Sequence, residues 1–311
     1  MSNRLSISGG FFIYLPPGIL SHFLNKMKSI KIALQKSGRL SEKSIQLLES
    51  CGIQLSNGER KLKAVASNYP IEILFLRDDD IPQYVEQGVA DLGILGENEV
   101  WEQNKNVTIL KPLGFAKCRM ALAIPKEENY TDLSYFASKK IATSYPGVLS
   151  RFFAEKNIPI ILEPISGSVE IAPGIGLADA VFDIVSTGST LLMNGLKEVA
   201  TVCSSQAVLI ANPNLSAEQQ ELVDNLLFRI DACQQAKVNK YILLNAPNEQ
   251  LETIIQLLPG IKSPTVMPLA LSGWSSIHAV LSEKESWNII EQLKKAGAEG
   301  ILVIPMDQMV A

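Results

Sequence analysis

Two histidines among 311 residues leave little material for a Ser-His-acid triad or a multi-histidine metal site. The four cysteines, Cys51, Cys118, Cys203 and Cys233, stand far apart, with no CxxC pair and no zinc-type spacing. They read as reduced thiols of a cytoplasmic protein. Long apolar runs are missing as well, so no stretch is expected to span a membrane. A net charge of -4 supplies no basic face of the kind a general nucleic-acid binder needs. What remains is 47% hydrophobic and 19% charged, and long enough for two or three domains with their own cores.

Residues 1–26 sit apart from this pattern. A mostly apolar run behind Arg4 faintly resembles a signal peptide, but Pro16-Pro17-Gly18 interrupts it and no small-x-small cleavage site follows. Met27 leads at once into a strand pattern. We read 1–26 as an extension outside the fold.

From Lys28 onward strand and helix patterns alternate. Strands are expected at 30–34, 62–66, 71–76 and 90–95, with helices at 40–51 and 81–87. That is the order of a mainly parallel, doubly wound α/β sheet. A crossing near 111–115 opens a second unit, with strands at 119–124, 140–143 and 158–162 and a helix near 147–156. Two strands within 199–210 are expected to return to the first unit. The reading gives lobe I as 27–115 with 202–232 and lobe II as 116–201. A cleft would lie between them, where ligands meet the carboxyl ends of strands. A helix at 216–237, with Ser216 and Gln219 spaced as a capping box, then leads to residues 238–311. Their β-α-β-β-α-β order is ferredoxin-like. They carry no catalytic-looking cluster.

The chemistry gathers in residues 178–191, ADAVFDIVSTGSTL. Val181, Ile184 and Val185 favour a strand, and Gly188 allows a tight turn among hydroxyls. A strand, a hydroxyl-rich turn and a helix start together make a cradle for an anion. Asp179 and Asp183 lie four apart, on one face of a strand. With Glu170, just before a further expected helix, they suit a phosphorylated sugar: amides hold the phosphate while acids take hydroxyls or Mg²⁺. Gln35-Lys36-Ser37-Gly38-Arg39, Arg77-Asp78-Asp79-Asp80 and Asp91 with Gly93 and Gly96 are further polar groups at strand ends.

QKSGRL, LRDDDIP, GVADLGILGEN, IATSYP, SGSVE and GLADAVFDIVSTGSTL, in this order, closely resemble the ATP phosphoribosyltransferase family. KYILLNAP and SPTVMPL resemble the histidine-sensing domain of its long form. The resemblance implies a two-lobed, periplasmic-binding-protein-like catalytic core with a C-terminal ferredoxin-like regulatory domain. It implies attack of adenine N1 of ATP on C1 of phosphoribosyl pyrophosphate, with Mg²⁺ on the pyrophosphate. By matching positions, Ser186, Thr187, Gly188, Ser189 and Thr190 would hold the 5-phosphate. Asp179 and Asp183 would take ribose hydroxyls, with Glu170 nearby. Arg39, Asp91 and Gly93 would serve the ATP side, and Ser263 and Thr265 would bind histidine as inhibitor. The long form suggests homo-oligomers, dimers and hexamers. From the residues alone, a two-lobed anionic-solute-binding protein stays open. A nicotinamide-dependent dehydrogenase is weaker, since Gly174-Ile175-Gly176 is half of a glycine fingerprint and follows no strand.

Overall fold

The computed structural model describes residues 29–56, 62–258 and 263–310, and by backbone alone 4–7 and 11–14. Most of the expected extension therefore lies outside the described residues. Within it, Arg4–Ile7 (β1) and Phe11–Tyr14 (β2) pair with each other in a two-stranded antiparallel sheet.

Ile30–Gln35 (β3) is the centre of the first lobe, because its apolar run puts Ile30, Ile32, Ala33 and Leu34 fully out of water. Arg39–Ser50 (α1) follows it. Lys63–Val65 (β4) and Ile71–Leu76 (β5) precede a tight turn at Asp78–Asp80, and Ile81–Glu86 (α2) starts with proline at its second position. Leu92–Gly96 (β6), Glu97–Gln103 (α3) and Thr108–Pro112 (β7) complete the run. β3 lies parallel between β5 and β6.

Cys118–Pro125 (β8) begins the second lobe. Lys140–Thr143 (β9), Pro146–Glu155 (α4), Ile161–Pro164 (β10), Ala180–Val185 (β11), Ser189–Met193 (α5) and Leu196–Ser205 (β12) follow. The sheet runs β10-β9-β11-β8-β12. Here the structure departs from expectation. β12 was assigned to the returning segment, yet it pairs antiparallel with β8 through Ser205. Only Ala207–Ala211 (β13) returns, to lie between β6 and β7. A strand's residues record its two faces but not its neighbours, so pattern alone could not place β12. The helix expected after Glu170 does not form; a single 3-10 turn lies at Val169–Ile171, and the chain continues in turns to β11.

The two crossings between lobes are tied together. Leu113 N–H donates to the Ala207 carbonyl at 2.8 Å, and Ala207 N–H donates to the Phe115 carbonyl at 2.9 Å. Helices of the lobes also meet. Glu102 on α3 accepts from the amides of Gly147 and Val148, each at 2.8 Å, so a carboxylate caps the start of α4.

Ala217–Val238 (α6) opens on the expected box: Gln219 N–H donates to Ser216 Oγ at 3.3 Å, and Ser216 N–H donates to Gln219 Oε1 at 3.0 Å. The compact units divide within this helix: residues up to Gln46 with Ile53–Gln220 form one, Leu47–Gly52 with Glu221–Ala311 the other. The sequence reading had left 202–232 with the first lobe. An unbroken helix of 22 residues offers no composition shift at the division. In the second unit, Asn239–Pro247 (β14), Leu251–Leu257 (α7), Thr265–Pro268 (β15), Trp274–Ser282 (β16), Ser286–Lys295 (α8) and Glu299–Pro305 (β17) give the sheet β15-β16-β14-β17. All of its pairings are antiparallel, which is the ferredoxin-like order.

Candidate active site

β11 is buried through Ala180, Val181 and Phe182, and this fixes where its polar end emerges. Beyond Val185 the chain turns through 186–190, with Gly188 at φ +81, a conformation that glycine adopts without strain. The hydroxyls of Thr187 and Ser189 lie 3.0 Å apart across the turn. A hollow of about 240 Å³ opens here, lined by Glu170, Asp183, Ser186, Thr187, Gly188 and Thr190 among others. α5 has only five residues, so the polar groups facing the hollow are those of the turn itself, with little contribution from a helix dipole.

Asp183 is half-buried, and one carboxylate oxygen accepts from its neighbour's amide, Ile184 N–H, at 2.8 Å. Burial pushes its pKa up to about 6, against the pull of that bond, and the charge of Glu170 adds to the rise. Asp179 is not in this hollow. Four residues along a strand is about 13 Å, so sharing a face does not bring the two acids together. Asp179 precedes β11, accepts from Lys140 N–H at 2.8 Å, and lines a separate depression with Lys140 and Tyr135.

A second hollow, of about 370 Å³, adjoins the first. Arg39 and Lys43 reach it from α1, Asp78 from the turn after β5, and Asn98 and Glu99 from α3. Lys117 comes from the crossing, and Tyr145 from the start of α4. Ile184 and Ser186 border both hollows, so the two meet at the carboxyl end of β11. The first-lobe contributors likewise follow the carboxyl ends of β3, β5 and β6.

Glu99 is buried, and its pKa is raised to about 7, first by loss of solvent and then by the charge of Asp78. Asn98 Nδ2 donates to Glu99 at 3.0 Å, and Ser205 Oγ donates to Asn98 Oδ1 at 2.8 Å. Tyr145 completes the cluster, its phenol kept protonated by burial and by the Glu99 carboxylate. Sequence reasoning passed over Glu99, Lys43, Lys117 and Tyr145. The only signals were IATSYP, which contains Tyr145, and GVADLGILGEN, which stops one residue short of Glu99; Lys43 and Lys117 lie outside every quoted string.

Two expected ATP-side residues lie elsewhere. Asp91 stands at the amino end of β6, with its oxygens taken by Lys31 N–H and Gln219 Nε2, both at 2.6 Å. Gly93 lies under α2, where a Cβ would come within 2.6 Å of Ile81. Asp91 thus joins elements by hydrogen bonds, and Gly93 leaves room for close packing of α2. In the second unit Ser263 and Thr265 are exposed, with Thr265 on edge strand β15 opposite His278. Among the described residues no group of three or more His, Cys, Asp or Glu side chains could enclose a metal ion, and no helix is long and apolar enough to cross a membrane.

Two α/β lobes with adjoining hollows at their strand ends make a two-lobed ligand-binding fold, with room for a ligand in each hollow. Residues 77–232 match the family model described as ATP phosphoribosyltransferase, and residues 236–308 match the one described as HisG, C-terminal domain. The chain is 57% identical over 281 residues to ATP phosphoribosyltransferase of Bacteroides fragilis, covering 90% of this chain and 99% of that protein. The counterpart from Cytophaga hutchinsonii is 54% identical, covering 90% and 98%. Among solved structures, the ATP phosphoribosyl transferase (HisG:HisZ) complex from Thermotoga maritima matches with a TM-score of 0.57 and 29% identity, over 65% of this chain and 98% of that one. The chain belongs to the ATP phosphoribosyltransferase family, whose members are pentosyltransferases.

Proposed function

We propose that the chain joins adenine N1 of ATP to C1 of phosphoribosyl pyrophosphate, releasing pyrophosphate and giving phosphoribosyl-ATP in the first step of histidine biosynthesis. The observation that carries this reading is the shared wall: Ile184 and Ser186 border both hollows. An acceptor in one then faces the reacting carbon of a sugar in the other. The 186–190 turn takes the 5-phosphate through its hydroxyls and amides. Asp183 accepts from ribose hydroxyls, and its charge faces the cationic character that grows at C1 as pyrophosphate departs. Arg39, Lys43 and Lys117 supply positive charge for a triphosphate. Adenine N1 is already a nucleophile, so alignment of two polyanions matters more than proton removal.

Mg²⁺ fits this site as an ion held mainly by substrate phosphates. Few protein carboxylates face the hollows, and Mg²⁺ characteristically keeps water and takes one or two of them. Glu170 and Asp183 are the nearest donors to the sugar side. When bound, the ion would neutralise pyrophosphate charge. A cytoplasmic, oligomeric enzyme inhibited by histidine through the second unit is the matching regulatory reading.

A solute-binding protein would need one hollow and would leave its ligand unchanged. Mixing the protein with ATP, phosphoribosyl pyrophosphate and Mg²⁺ separates the two readings. Growth of the product's ultraviolet absorbance, dependent on both substrates, is expected. Tight anion binding without turnover would support the binding protein instead.

A further inference from the structure

Arg119 lies on β8 directly opposite Val185, the last residue of β11, so its side chain emerges beneath the start of the 186–190 turn. Its Nη1 donates to the Ser186 carbonyl at 3.1 Å. The rest of the guanidinium is gripped from β12. Nε donates to Glu198 Oε1 at 2.7 Å, and Nη2 donates to Oε2 at 2.5 Å. Thr201 Oγ1 in turn donates to Glu198 Oε1 at 3.1 Å. A Cβ built on Gly188 would lie 3.9 Å from Arg119 Nη2, so the guanidinium also underlies the glycine of the turn.

We propose that Arg119, clamped in a fork by Glu198, is a positioning residue that holds the 186–190 turn in the shape that accepts the sugar's phosphate. The proposal rests on that turn being the phosphate site, as argued above. The turn needs an external hold. Ser186, Thr187, Ser189 and Thr190 are exposed, and the helix that follows has one turn and a half at most. A planar guanidinium can bind two carboxylate oxygens on one edge and a carbonyl from another corner at once, in a rigid plane. Lysine keeps the charge but is a flexible point donor and cannot reproduce the fork. The Glu198 pKa is lowered chiefly by its hydrogen bonds from Arg119, so the clamp stays charged through neutral pH.

The test uses the full chain as Arg119→Lys, Glu198→Gln and Thr187→Val, with Michaelis constants for both substrates and thermal melts. Arg119→Lys is expected to raise KM for phosphoribosyl pyrophosphate about tenfold, the scale of one lost charge-assisted bond. KM for ATP and the melting temperature should change little, and Glu198→Gln should give a smaller effect of the same sign. A wild-type sugar KM in Arg119→Lys would overturn the proposal. So would an equal rise for both substrates with a lowered melting temperature, which marks a merely structural role. If Arg119→Lys fails to fold, Glu198→Gln decides in the same way. Thr187→Val separates the two levels. If it weakens sugar binding while the Arg119 and Glu198 variants do not, only the clamp fails. If none of the three does, the reading of the turn as phosphate site fails.

Discussion

Asp183 and Glu99 are two acids whose surroundings oppose ionisation, and each carries a prediction. With a pKa near 6, Asp183 loses its charge as pH falls through that value and can no longer accept from two ribose hydroxyls. KM for phosphoribosyl pyrophosphate should therefore rise below about pH 6. Asp183→Asn should remove that limb and slow turnover by about 10²–10³. A pH profile of kcat/KM for both proteins checks this, and an unchanged acid limb in the variant would exclude Asp183 as its source. Glu99 makes a statement about stability. Its folded pKa, about 7, stands above the ordinary 4.5, so the native state holds the proton more tightly than the unfolded chain. Stability is then greatest below 4.5, declines as pH rises to 7, and stays lower beyond. Glu99→Gln keeps an acceptor for Asn98 without the buried charge. It should be more stable than wild type at pH 8, by about 1–3 kcal/mol, and nearly equal at pH 4. Urea unfolding at the two values distinguishes this from a uniform change.

At the scale of elements, the sequence reading did best where one segment explains itself. Val181, Ile184 and Val185 were read as strand-forming and lie in β11, Ala180–Val185, and the Ser216–Gln219 box forms as its spacing implied. It did worst where a residue's role depends on a distant partner. Asp91 resembles a site acid until Gln219, 128 positions away, takes one oxygen and the Lys31 amide takes the other. The Glu99–Tyr145 cluster exists only because α3 of one lobe meets the start of α4 of the other. Asp179 was grouped with Asp183 by parity, which sets the face of a strand but not the distance along it. The Asp91 link between β3, β6 and α6 gives the element-scale prediction. Asp91→Ala frees a backbone amide and a side-chain amide, and should cost about 1–3 kcal/mol of stability. KM for ATP should stay within about twofold, since a group outside the cleft makes no contact whose loss would change it. A large rise in that KM with stability intact would return Asp91 to the ATP side.

For the whole molecule, the question is what a second folded unit with its own core contributes to a reaction housed in the first. Its sheet buries Ile242, Leu244, Ile254, Ile277, Leu281 and Leu293, enough for a domain that holds its shape. Its edge strand β15 presents the exposed Thr265, two residues beyond the exposed Ser263, and on the reading proposed above their hydroxyls would take an amino-acid carboxylate. An effector bound there can act only by favouring one arrangement of the protein over another, and such couplings are commonly about 1–3 kcal/mol. Histidine should therefore inhibit without competing with either substrate. Thr265→Val keeps the β-branched shape that an edge strand favours and removes only the hydroxyl. It should raise the histidine concentration needed for half inhibition, by about tenfold for one lost bond to a charged group, while uninhibited turnover stays near wild type. Inhibition curves paired with calorimetric titration of histidine make the comparison. A variant inhibited like wild type would move the effector site away from β15. Absence of histidine binding to the full chain would remove the sensing role from the second unit altogether.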